Sequence, residues 1–217
     1  MPSTRWACVT ELESVNILLA VIGEAPISQM SDIQANEIDD AALAQRTLSE
    51  VNRDVQAEGW TWNIDRAVRI EVGLDDGYVL PGNTLRTSFS PNRYGECQYV
   101  ARGLRIWDKD KRTYKFGDST NPQPLIVDEL VTQLEWDELS HAAQYYITIR
   151  ASRIYAERYV NSNLLYTYSV QDEEAARGQL IRAEESSLSN NLLWGNDRGM
   201  TPGVGYVPSQ GRLVRYN

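Results

Sequence analysis

The one histidine, His141, stands at i+4 from Asp137 and i+3 from Glu138, a spacing that puts imidazole and carboxylate on one helix face and can begin a metal site. No second histidine is present to complete one, so His141 reads as a surface residue near a helix start, and no metal is expected. A Ser-His-Asp triad would also have to use His141, and no nucleophile-elbow pattern accompanies it. Acid pairs occur at Asp39-Asp40, Asp75-Asp76 and Asp128-Glu129. Glycoside hydrolysis needs two carboxylates across a cleft, whereas turns and helix N-termini account for each adjacent pair. A pair distant in sequence stays open, so a polysaccharide-degrading hydrolase is kept as the alternative function. Gly203-Val204-Gly205 has no preceding strand and no Gly-Lys-Ser/Thr, and is not a phosphate loop. No catalytic residue and no cofactor is expected.

Contact-making residues are abundant instead. The chain has 6 Trp and 12 Tyr against 2 Phe, a skew toward rings that are dry on one edge and hydrogen-bonded on the other, as at interfaces. Its 18 Arg against 3 Lys point the same way, because a planar guanidinium stacks and bridges at protein contacts. Tyr145, Tyr146, Tyr155, Tyr159, Tyr166 and Tyr168 gather in one region, with Tyr146 expected in the core. The 21 Lys+Arg against 30 Asp+Glu give a net charge of -9, which argues against adhesive binding to nucleic acid or anionic lipid. Residues 1–60 carry ten acids and three bases, residues 61–136 eleven and ten, and residues 194–217 one acid and three arginines.

These residues need elements to position them. Thr10-Glu11-Leu12-Glu13 fits a capping box, Leu12, Val15, Leu18, Leu19 and Ile22 follow at helical spacing, and Gly23 with Pro26 closes the helix. Ala41, Ala44, Leu48, Val51 and Val55 predict a second helix over about 35–58, with Gly59 as its cap. From Trp60 the period becomes two: 60–64, 68–72, 104–107, 113–116 and 125–127 read as short strands, and Asp108-Lys109-Asp110-Lys111 as a charged hairpin tip. Helical spacing returns over about 137–160. A fourth helix is expected from Val170 to about Ser189, with Ser169 as N-cap and Asp172-Glu173-Glu174 in its first turn.

From Trp194 glycines and prolines exclude a regular helix, yet Trp194, Met200, Tyr206, Val207, Leu213 and Tyr216 are too apolar for a solvated tail. An arm that docks on a partner satisfies both facts. The fold class expected is α+β, mainly α: a four-helix bundle with an inserted small antiparallel β-sheet and an extended C-terminal arm. Residues 1–59 and 136–193 form the discontinuous bundle, 60–135 the β-rich insertion and 194–217 the arm. Cys8 and Cys97 are too few and too far apart for a disulfide framework. No apolar run reaches the ~18–20 residues of a membrane span, and the N-terminus does not resemble a signal peptide. The chain reads as an assembly component rather than an enzyme.

Several of these stretches resemble a known family, the tail tubular protein A or head-to-tail adaptor of short-tailed phages of the T7 type. Val15 to Ile22 followed by Gly23-Glu24-Ala25-Pro26-Ile27-Ser28 is similar to the family's opening helix and its exit. Arg46 and Leu48 through Gly59-Trp60-Thr61-Trp62-Asn63 resemble its second helix and Gly-Trp-x-Phe-Asn junction, with Trp62 in place of Phe. Tyr146-Ile147-Thr148, Ala151-Ser152-Arg153 and Arg158-Tyr159 resemble its third helix. Gln171-Asp172-Glu173-Glu174-Ala175 with Asn190-Asn191-Leu192-Leu193 resembles its fourth.

The resemblance implies a structural virion protein of the tail, assembled in the host cytoplasm. It implies a dodecameric ring below the portal protein, carrying the nozzle (tail tubular protein B) and tail fibres and forming part of the DNA ejection channel. DNA would only pass through, and no membrane is involved. The arm would then dock on the portal, and the tip with Lys109, Lys111 and Arg112 would face nozzle and fibres. Asp39, Asp40, Glu50 and Glu58 are candidate lumen acids, a solvated outer face being the other reading. A lumen that attracted phosphate would hold DNA rather than let it slide.

Overall fold

The computed structural model describes residues 9–35, 39–73, 77–90, 94, 98–116, 124–160 and 163–193. Helix α1 (Glu11–Ile22) starts with the capping box: the Glu13 N–H donates to Thr10 Oγ1 at 3.1 Å and the Thr10 N–H to Glu13 Oε2 at 2.8 Å. It ends at Gly23, whose φ of 84° suits a residue without Cβ, while Glu24 N–H donates back to Leu19 O. Asn16 then pins the returning chain by exchanging two hydrogen bonds with the Ile27 backbone. A short helix α2 (Ser31–Ala35) precedes α3 (Asp39–Ala57).

The second helix of the sequence reading, about 35–58, corresponds to α3, which starts at Asp39, and the short α2 ahead of it was not expected. Only its part from Asp39 carries the Ala41, Ala44, Leu48, Val51, Val55 stripe, and all five of these are buried. The third helix, α4 (His141–Val160), starts four residues later than the spacing suggests. Trp136–Glu138 form a separate 3-10 turn, and Ser140 Oγ accepts the Ala143 N–H as the true cap. Helix α5 (Asn163–Leu193) starts seven residues earlier than expected. Residues 163–170 contain neither Gly nor Pro, so nothing stops the helix there, and Ser169 and Asp172-Glu173-Glu174 lie inside it.

Helix α4 is the centre of the helical part and packs against α1, α3 and α5. Tyr146, Ile147, Ala151 and Tyr155 are fully buried on it, and Leu18, Leu19, Leu48, Ala176 and Leu180 complete the core from the other helices. Each buried Leu or Ile side chain contributes about 1.5–3 kcal/mol over its exposed state. The buried hydroxyls are paired: Ser14 Oγ and Thr148 Oγ1 lie 2.9 Å apart between α1 and α4.

The strands form two small antiparallel sheets, not one. In the first, β1 (Ile64–Ile70) and β2 (Thr84–Ser88) flank β5 (Leu125–Thr132) in the order β1-β5-β2. In the second, β3 (Tyr99–Arg102) and β4 (Arg105–Asp108) form a hairpin. Its two-residue loop is Gly103-Leu104, and Gly103 at φ 60° supplies the left-handed first position of a type II′ turn. Residues 113–116 are not a strand; Thr113 makes a single bridge to Asp108. Residues 61–63 are a turn, with strand geometry starting at Ile64. A second apolar cluster, Ile70, Tyr78, Leu80, Ile106, Leu125, Val127 and Leu130, lies between the strands.

Candidate interaction surfaces

The joint between helices and strands is built from polar side chains. Asn63, 2% exposed, accepts the Trp60 N–H and donates to both Gln56 O and Thr132 O. Trp60 turns its indole N–H onto Val55 O at 2.8 Å. Gln56, fully buried, bonds both backbone groups of Leu134. The end of α3 is thus fixed to the end of β5, and the buried amides of Gln56 and Asn63 are both paired.

A second network ties α3, α4 and α5 at their surface. Glu58 receives Arg150 at 3.3 Å and Arg177 at 3.2 Å, and both arginines also donate to the Tyr146 hydroxyl. Arg153 bonds Glu173 through Nε and Glu157 through Nη1, the latter at 2.7 Å. Burial works against the Arg153 charge, but Glu173 and Glu157 outweigh it and raise its pKa further. Arg158 makes a bidentate pair with Glu50, both bonds 3.1 Å, and holds that carboxyl below the usual carboxylate range. Thr61 N–H donates to Glu184 of α5 at 2.5 Å.

The hairpin tip of the sequence reading is a tight turn. Asp108, buried, exchanges backbone bonds with Thr113 and accepts the Asp110 and Lys111 N–H groups on Oδ1. Arg112 takes φ 50° to close it. Lys109, Lys111 and Arg112 are all exposed. Two more arginines stack nearby, Arg102 over the Trp107 ring at 4.3 Å and Arg105 over Tyr114 at 5.0 Å. Residues 102–115 carry six bases and two acids, so this end of the molecule is basic.

Beyond these, a polar groove at the foot of α1 is lined by Glu11, Ser49, Asn52, Gln133, Glu135 and neighbouring residues. Among the described residues no three His, Cys, Asp or Glu side chains are grouped to hold a metal ion. No helix of the described residues is long and apolar enough to cross a membrane.

A family model of tail tubular proteins matches residues 12–189, from the first turn of α1 to the last turns of α5. The chain belongs to the tail tubular protein family. It is a structural component of a phage tail, and its place is the virion. A search of curated proteins finds no match to the chain.

In this tail tubular protein the predicted site residues fall into three groups. Lys109, Lys111 and Arg112 are brought together on one exposed turn. Of the candidate lumen acids, Asp39 and Asp40 begin α3, whereas Glu50 and Glu58 are neutralised by arginines of α4 and α5. The arm residues Trp194, Met200, Tyr206, Val207, Leu213 and Tyr216 lie outside the described residues. Sequence reasoning missed the Gln56–Asn63 joint and the arginine network. The partners there are separated by up to 119 residues, and only the junction Gly59-Trp60 hinted at the first.

Proposed function

We propose that this tail tubular protein is a ring-forming head-to-tail adaptor between the portal above and the nozzle and fibres below, with DNA passing through the ring. The observation that carries this reading is the continuity of the family match through both the helical and the strand-rich parts, residues 12–189. The whole scaffold is shared, not one module of it. The division of labour is a discontinuous helical unit, 1–59 with 136–193, making ring contacts, and a strand-rich insertion, 60–135, facing the lower tail. Two separate apolar cores, one among helices and one among strands, support that division.

In this reading residues 194–217 dock on the portal, and the basic turn with Lys109, Lys111 and Arg112 meets an acidic surface of nozzle or fibre. Glu50 and Glu58 are paired with arginines, so a lumen wall that includes them with Asp39 and Asp40 would be weakly charged, neither gripping phosphate nor strongly repelling it. The test is portal binding by the full chain and by residues 1–193. The account expects the full chain to bind the portal ring and the shortened chain, still helical by circular dichroism, to lose it; undiminished binding would remove the docking role of the arm.

A further inference from the structure

The groove at the foot of α1 carries polar groups that its own surroundings leave unpaired. It lies where α1, α3 and the chain leaving β5 meet, and no lysine or arginine lines it. Glu11 and Glu135 stand on its walls, and neither makes an ion pair among the described residues. Asn52, 9% exposed, lines it from α3. Its Oδ1 accepts a hydrogen from Gln56 Nε2 at 2.9 Å, while its own Nδ2 has no partner among the described residues and is free for a carbonyl entering the groove. Trp136, also part of the lining, turns its indole N–H onto Val9 O at 2.7 Å. Val9, the first of the described residues, is thus tied to the edge of the groove.

We propose that residues 1–8 of the same chain, which lie outside the described residues, dock along this groove, with Arg5 between Glu11 and Glu135 and a main-chain carbonyl on Asn52 Nδ2. Charge selects this occupant, because Arg5 is the only charged side chain in residues 1–8 and both charges lining the groove are acidic. Position selects it too. The hydrogen bond at Val9 starts the segment at the groove, and an extended chain from Val9 back to Arg5 reaches about 13 Å, more than two turns of α3. The tether adds a third reason: a short flexible link holds the segment near the groove at an effective concentration on the order of millimolar, against which a segment of another copy must compete. Seated there, residues 1–8 join the foot of α1 to α3 and to Leu134, whose backbone Gln56 already clasps, and so brace the joint between helices and strands. The contact lies within one chain and does not rest on the ring reading.

The experiment uses the full chain with Cys8 and Cys97 changed to Ser, carrying Thr4→Cys and Ser49→Cys together; Ser49 is an exposed groove residue, where the fold tolerates a cysteine. The chain is oxidised gently in dilute solution, run on a denaturing gel and mapped by peptide mass. A disulfide between positions 4 and 49 of one chain is expected, with the mobility of a monomer. Free thiols at both positions would overturn the proposal. Bonds formed only between chains would show that a neighbour's segment fills the groove, and would overturn it as well. Arg5→Glu in the same background is expected to slow bond formation at least about threefold at low salt, since it sets three acids together. An unchanged rate would show that the two cysteines meet by chance collision, and would overturn the docking.

Discussion

Gln56 and Leu134, 78 residues apart, hold each other through two hydrogen bonds: Gln56 Nε2 donates to the Leu134 carbonyl at 3.1 Å, and the Leu134 N–H donates to Gln56 Oε1 at 2.8 Å. The amide imitates a neighbouring strand and fixes the last turn of α3 to the chain leaving β5. Replacing it by Leu keeps the volume and leaves two backbone groups of Leu134 without partners. Gln56→Leu is expected to lower stability by about 1–3 kcal/mol, read as a shifted urea midpoint at unchanged slope. A midpoint equal to that of the parent would show that water replaces the clasp.

Tyr94 plays a similar part at the edge of the first sheet. Its hydroxyl donates to Ile126 O and accepts the Ile126 N–H, each at 2.9 Å, beyond the point where β2 stops pairing with β5 at Ser88–Glu129. Tyr94→Phe is expected to speed hydrogen exchange at the Ile126 amide and to destabilise by about 1–2 kcal/mol. Exchange at Ile126 as slow as in the parent would contradict the role of the hydroxyl.

Ala67 sits in β1 at φ 54°, a left-handed conformation that disfavours a Cβ, and the β1–β5 register passes from Arg66–Glu129 to Val68–Val127 around it. Ala67→Gly is expected to stabilise by about 0.5–1 kcal/mol, relief of strain outweighing the greater freedom of glycine in the unfolded chain. Ala67→Val is expected to destabilise. Thermal unfolding of the two variants checks the sign, and the reverse order would rule out the strained geometry.

The Glu50–Arg158 pair fixes a pH dependence. Arg158 lowers the Glu50 pKa, first by hydrogen bonding and then by its charge, from an ordinary value of 4.5. The folded carboxyl thus titrates below the unfolded one, so the stabilisation is fully present above the unfolded value and is lost as pH falls through the folded one. The pair is solvent-exposed and the effect small. The stability difference between the parent and Glu50→Gln is expected at neutral pH and to vanish in acid; a difference that grows with acidity would contradict the pairing.

The helical part was legible where local chemistry decides it. Thr10, Glu13 and Gly23 name both ends of α1, and the Ala41 to Val55 stripe names the buried face of α3. The start of α5 was not, because a capping pattern at Ser169 resembles a beginning even inside a longer helix. Strand β2, Thr84-Leu85-Arg86-Thr87-Ser88, escaped notice because a register shift between Thr84 and Arg86 breaks its alternation. Strand β3 carried a readable signal, Gly103 ahead of Leu104 between two arginines, which predicts a tight hairpin. The arginine network was out of reach, since Glu58 finds Arg150 and Arg177 only after three helices have packed.

The central claim is that this tail tubular protein closes into a ring and joins the portal. It is tested most directly by weighing single particles of the purified chain alone and mixed with portal rings. The account predicts a closed multimer in one or both samples, adding about one chain per portal protomer in the mixture. A chain that remains monomeric in both would contradict it.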